Sequence, residues 1–356
     1  MKLSVGFLGL GGLTALTFAL SGCFGSSSSN NNPAPNNKFV LAALVADTAA
    51  GGAAHTDPNL VNPWGLAFSP SGPFWVANNG SNTATIYDST GTTVGPAVTV
   101  PGPVSGVPTG QVYNGTNDFK IGGLSPALFL FSSESGVITG WYTGGTAAVV
   151  ANQTAASASY KGLAIGSVGS TNYIYATNFH SGGIDVFSGT FVKQPFTFTD
   201  PALPAGYAPF GIENIGGQLY VTYAVKGASG DDVAGAGNGI VDVFTTNGAF
   251  VKRLVSNGAL NSPWGLAMAP NGFGDFSGAL LVGNFGDGKI NAYNPSTGAF
   301  VGTLMNGNSG NPVVIGGLWA LKFGNGGLAG STTNLYFTAG TGSEAHGTFG
   351  SLTLMP

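Results

Sequence analysis

The side chains able to do chemistry are few and scattered. Asp231 and Asp232 adjoin in a glycine-rich stretch, and carboxylates among flexible carbonyls are the donors Ca²⁺ takes. The stretch lacks the D-x-D-x-D-G spacing of a calcium loop, so two solvated acids in a turn is the plainer reading. Glu213 is an acid within an apolar run, a candidate catalytic or metal-binding group. His55, His180 and His346 stand far apart, and each reads as a solvated polar residue before it reads as a metal ligand or a base. Asn78, Asn79, Asn178, Asn284, Asp287 and Glu344 fall in polar turns, where Asn is first of all a turn former. There is no G-x-S-x-G, no H-E-x-x-H, no paired cysteine and no phosphate-binding glycine loop. A Ser/His/Asp triad is recognised by geometry rather than spacing, and nothing here points to one.

The elements that must position these residues follow from composition and repetition. Charged residues make up 7% of the 356, against about 25% in an average soluble domain. Gly occurs 61 times, and the net charge is −4. Helix surfaces need Glu, Lys and Arg, of which this chain has few. No basic run exists, so nucleic acid is not an expected partner. The run Asn62-Pro63-Trp64-Gly65-Leu66-Ala67-Phe68 returns as Ser262-Pro263-Trp264-Gly265-Leu266-Ala267-Met268. Weaker copies surround Gly110, Gly162 and Gly211, and a last one surrounds Trp319-Ala320. After each comes a second apolar run, such as Phe74-Trp75-Val76-Ala77, and then a polar turn. An alternating strand follows, such as Ile240-Val241-Asp242-Val243-Phe244, and in most units a fourth strand.

Short runs rich in β-branched and aromatic residues, bounded by Gly, Asn, Ser and Pro, are strands. Four strands per unit of about 50 residues is the arithmetic of a propeller blade. The sequence therefore predicts an all-β fold, a six-bladed β-propeller over residues 38–356. Sandwiches do not repeat at this period, and β-helix coils are shorter. The 39–45 strand has no hairpin partner nearby, and the last unit stops short of a fourth strand. Residues 39–45 are thus expected to complete the last blade and close the ring.

In such a blade the first strand lines the channel. The turn entering it and the turn between the second and third strands share one face. That face is the candidate binding surface: Trp64, Asn78, Asn79, Asn178, His180, Trp264, Asn284, Asp287, Trp319, Glu344 and His346. The three tryptophans read first as packing wedges between blades and second as a stacking surface for a ligand. An insertion from Lys226 to Asn238, containing Asp231 and Asp232, is a long loop of the kind that more often serves function than scaffold.

The N-terminus reads as a leader. Lys2 precedes an apolar stretch to Leu20, followed by Leu20-Ser21-Gly22-Cys23, and Cys23 is the only cysteine. This ending resembles the lipobox of bacterial lipoproteins. The resemblance implies a signal peptide over 1–22, lipidation of Cys23 and a membrane anchor. Residues 23–37, rich in Ser, Asn and Pro, read as a flexible tether. Phe24, rather than Asp, after the cysteine resembles the pattern sent to the outer membrane. The expected address is thus the bacterial cell envelope.

The run from Thr56 to Phe68 and the run Gly317-Leu318-Trp319-Ala320-Leu321-Lys322-Phe323 resemble a family of uncharacterised exported bacterial propellers. Some of its members carry a PEP-type C-terminal sorting tail, a feature this sequence does not show. More distantly the blades are similar to NHL-type propellers. The resemblance implies fold and export but no activity. In lactonase-type relatives a central metal is held by Glu, Asn and Asp side chains; Glu213 matches, but no second channel acid is visible. The expectation is a binding or scaffold module for a neutral glycan, peptide or protein, with no cofactor unless Ca²⁺ sits at Asp231-Asp232. The alternative is a metal-dependent hydrolase or lyase using Glu213.

Overall fold

The computed structural model describes residues 35–103 and 105–356. The leader, Cys23 and most of the tether lie outside the described residues.

Six sheets form the six blades, antiparallel throughout except in blade six, where two short strands pair parallel with the N-terminal strand. Their inner strands are Pro63–Ala67, Pro108–Tyr113, Tyr160–Val168, Tyr207–Ile215, Pro263–Met268 and Leu318–Phe323. Blades one to five run outward through four strands each. Blade two carries an extra hairpin, Lys120–Ile121 with Ser125–Pro126, which the repeat pattern does not announce. In blade six the outer strand is Lys38–Ala46, antiparallel to Thr348–Leu354 with Phe39 opposite Leu354. The N-terminal strand therefore closes the ring, as expected.

The inner strands do not alternate between apolar and polar residues, because both faces of each sheet are covered. Every residue of Pro63–Ala67 is buried. The faces meet in apolar clusters between neighbouring blades. Ile184 and Val186 of blade three, for example, pack with Leu219, Val221 and Phe244 of blade four.

The recurrent glycine is explained by close approach at the axis. A Cβ on Gly110 would lie 2.2 Å from the Leu163 nitrogen, and one on Gly211 would lie 2.1 Å from the Trp264 carbonyl oxygen. Threonine hydroxyls stitch the blades together. Thr177 donates to the Phe210 carbonyl at 2.7 Å, and Thr338 donates to the Trp64 carbonyl at 2.6 Å across the closure.

Candidate functional site at the Trp64 mouth

The residue just before the recurrent glycine position reads Trp64, Thr109, Lys161, Phe210, Trp264 and Trp319 around the ring. At the mouth where the inner strands begin, the aromatic members meet. Trp64 stacks on Trp319 with ring centroids 3.4 Å apart, and Trp264 meets both edge-on at 6.1 and 5.8 Å. The tryptophans thus pack against each other across the channel rather than as separate wedges between blades. Phe285 stacks on Trp319 at 4.1 Å.

Above this floor lies a cavity of about 320 Å³ lined by Trp64, Trp319, Phe285, Asn62, Asn79, Glu134, Lys161, Asp231, Asp232 and Glu344. A polar chain runs along its wall from blade to blade. Trp319 Nε1 donates to Asn62 Oδ1 at 3.1 Å, and Asn62 Nδ2 donates to Asn79 Oδ1 at 3.4 Å. Asn79 Nδ2 donates to Glu134 Oε2 at 2.9 Å, and Glu134 Oε1 is ion-paired with Lys161. Lys161 Nζ also lies 3.6 Å from Asp231 Oδ1 and 5.4 Å from the centre of the Trp64 ring. Asn62, at the head of this chain, holds a left-handed backbone with φ 47°. Such strain persists only where surrounding contacts impose it.

Lys161 is almost wholly buried, which a lysine tolerates only when paired. Glu134 and Asp231 supply that pairing. The other two acids have no such partner. Burial pushes the Asp232 carboxyl above the usual carboxylate range, and one of its oxygens is buried without a hydrogen bond. Glu344 is pushed up by burial and then by the charge of Glu134. Ser343 and Glu344 both hold left-handed backbone, φ 56° and 67°. Five charged side chains from four blades thus converge in a chain with few charges, and four of the five are acids.

Of the predicted face, Trp64, Asn79, Trp319 and Glu344 line the cavity. Trp264 lies in the floor, its Nε1 donating to the Lys161 carbonyl at 3.1 Å. Asn78, Asn178 and Asn284 are buried turn formers, bonded to Thr85, Asp185 and Asp287 respectively. Asp287 pairs with Lys289 at 3.0 Å. The His180 side chain is exposed, and its backbone carbonyl accepts from Lys226. His346 Nδ1 lies 2.8 Å from Asp47 and ties the last turn to the closing strand. His55 is exposed beside that strand.

The three metal candidates do not form one centre. Asp231 and Asp232 line the Trp64 mouth, whereas Glu213 faces the other end of the channel, paired with Lys322 at 2.9 Å. Among the described residues no group of three His, Cys, Asp or Glu side chains could hold a metal ion. The sequence reading missed Lys161, and it placed the turn of Glu134 on this face without singling that residue out. The signal for Lys161 was its place as the one cation in a column whose other members are four aromatics and Thr109.

No family model matches the chain. It is 36% identical over 320 residues to an uncharacterized protein of Acanthamoeba polyphaga mimivirus, covering 84% of this chain and 76% of the relative. A second uncharacterized mimivirus protein is 34% identical over 326 residues, covering 84% and 82%. These relatives are viral, not members of the exported bacterial family that the sequence runs resemble. Among solved structures, a streptogramin B lyase matches with a TM-score of 0.54 at 14% identity, over 89% of this chain and 98% of that one. Virginiamycin B lyase from Staphylococcus aureus, in its selenomethionine form, matches with 0.53 at 15%, over 89% and 100%. At that identity the likeness shows the propeller fold and nothing about activity.

Proposed function

This chain belongs to the family of the two uncharacterized mimivirus proteins, and since their names assign no activity we propose, from the mouth itself, a binding propeller for ligands bearing a positively charged group. The observation that carries this reading is the charge imbalance beneath Trp64. Lys161 is ion-paired with Glu134 and Asp231, leaving Asp232 and Glu344 lining an aromatic-walled cavity without an ion pair of their own. Desolvated carboxylates beside aromatic rings favour an ammonium or guanidinium. The buried Lys161, near the rings of both Trp64 and Phe179, already shows the same chemistry in place. The expected neutral ligand rested on a face of Asn amides and Trp rings with few charges; the charges that gather at this mouth favour a cation instead. A volume of about 320 Å³ suits a small molecule or a single side chain of a peptide.

The test is titration of the full chain with choline, spermidine and arginine amide, read by tryptophan fluorescence. Saturable binding that weakens with salt and falls about tenfold or more in Glu344→Gln is expected. Binding of uncharged sugars in place of the cations would overturn the reading.

The leader motif supports a companion proposal: lipidation at Cys23 holds the propeller at the cell envelope through the 23–37 tether. Acyl labelling in a bacterial host should mark the parent chain and not Cys23→Ser; equal labelling of both would refute it.

A further inference from the structure

Three departures from the repeat meet at the mouth opposite Trp64. One residue after the recurrent glycine position, the blades read Leu66, Gln111, Leu163, Ile212, Leu266 and Leu321. Gln111 is the only polar member. One residue further they read Ala67, Val112, Ala164, Glu213, Ala267 and Lys322. Glu213 and Lys322 are the only charged members, and they pair with each other across the channel from blades four and six. All three line one cavity of about 390 Å³, together with Phe68, Tyr113 and Asn214.

Gln111 is only 6% exposed, and neither its carbonyl oxygen nor its amide nitrogen has a hydrogen-bond partner among the described residues. An amide side chain can accept and donate at once. Leaving both groups buried and unmade carries the full desolvation penalty of each. The other five blades avoid that cost with Leu or Ile. Lys322 and Glu213 spend one contact on each other, and their side chains are still 30% and 35% exposed toward the opening. The cavity thus offers a paired donor and acceptor on Gln111 and a second donor–acceptor pair on the ion pair. The complement of a donor beside an acceptor is an acceptor beside a donor, as in another amide.

We propose that this mouth is a second binding site, separate from the Trp64 mouth, for a small amide-bearing molecule. Its C=O and N–H complete the hydrogen bonds of Gln111, and the Glu213–Lys322 pair holds a neighbouring polar group. The site does not depend on the cation reading, since no residue is shared between the two cavities.

The test uses the full chain labelled with ¹⁵N at glutamine side-chain amides. There are four glutamines, and Gln111→Leu assigns the relevant signals by their loss. The probe is N-acetylglycinamide, with propane-1,2-diol as the control lacking an amide. The expected result is a saturable shift of the Gln111 signals with the probe and none with the diol. In Gln111→Leu, probe binding followed by saturation transfer should fall about tenfold or more. Its melting temperature should match or exceed the parent's, because Leu restores the repeat. Should that variant fold poorly, Gln111→Met serves the same purpose, and the shift in the parent chain stands without either. Gln111 signals unmoved by the probe would show a cavity that holds only water and would overturn the proposal. So would undiminished probe binding in Gln111→Leu.

Discussion

Asp242 shows how one buried acid sets a pH dependence. It lies on the third strand of blade four, its carboxylate wholly buried and without a hydrogen bond. Arg253 is 3.7 Å away but is committed to Asp200, which it contacts through Nε at 2.9 Å. Burial, and then the charge of Asp200, push the Asp242 carboxyl up to about 8. Through the interval from the ordinary carboxylate range to about 8, the folded chain keeps this proton and the unfolded chain has lost it. Stability from this group is therefore full at low pH and drains away as pH rises through that interval. Melting temperature should fall over the same span, and Asp242→Asn should give a shallower slope. Identical slopes for the two chains would rule out Asp242 as the source. Lys161 makes the complementary point, since its buried ammonium is tolerated only because two carboxylates from other blades reach it.

At the scale of the strand, the inner elements were the most legible. Five of the six open with Pro or Tyr and are punctuated by Gly, the sixth opening with Leu318 and carrying Ala320, and the structure shows why the glycine recurs. Gly211→Ala would set a Cβ 2.1 Å from the Trp264 carbonyl oxygen, forcing two inner strands apart. A loss of about 1–3 kcal/mol is expected, read as a lower urea midpoint. Blade six already carries Ala320 at this position, so the reverse change, Ala320→Gly, should cost less than about 1 kcal/mol. Equal effects at the two positions would mean that packing at the axis does not decide the residue. The extra hairpin of blade two was not legible, because two strands of two residues each leave no periodicity to read.

For the whole molecule, closure is the decisive event. The strand Lys38–Ala46 covers what would otherwise be the open edge of Thr348–Leu354, and the contact between His346 and Asp47 ties the same seam. An exposed edge is a template for aggregation. Deleting residues through Ala46 should replace a single cooperative melting transition with a broadened one at lower temperature, with association visible by light scattering. A sharp, unshifted transition would show that the ring closes without this strand.

From its own sequence this chain determined blade number, strand order and closure, because those depend on local patterning repeated every 50 residues or so. The face of the ring that carries the tryptophans and polar turns was legible for the same reason. Which side chains touch was decided by the ring. Glu213 and Lys322 stand 109 positions apart in the chain, and Lys161 meets Glu134 from blade two and Asp231 from blade four. No periodicity links such residues. They are brought together only when six separate blades converge on one axis, where each departure from the repeat faces the departures of the others.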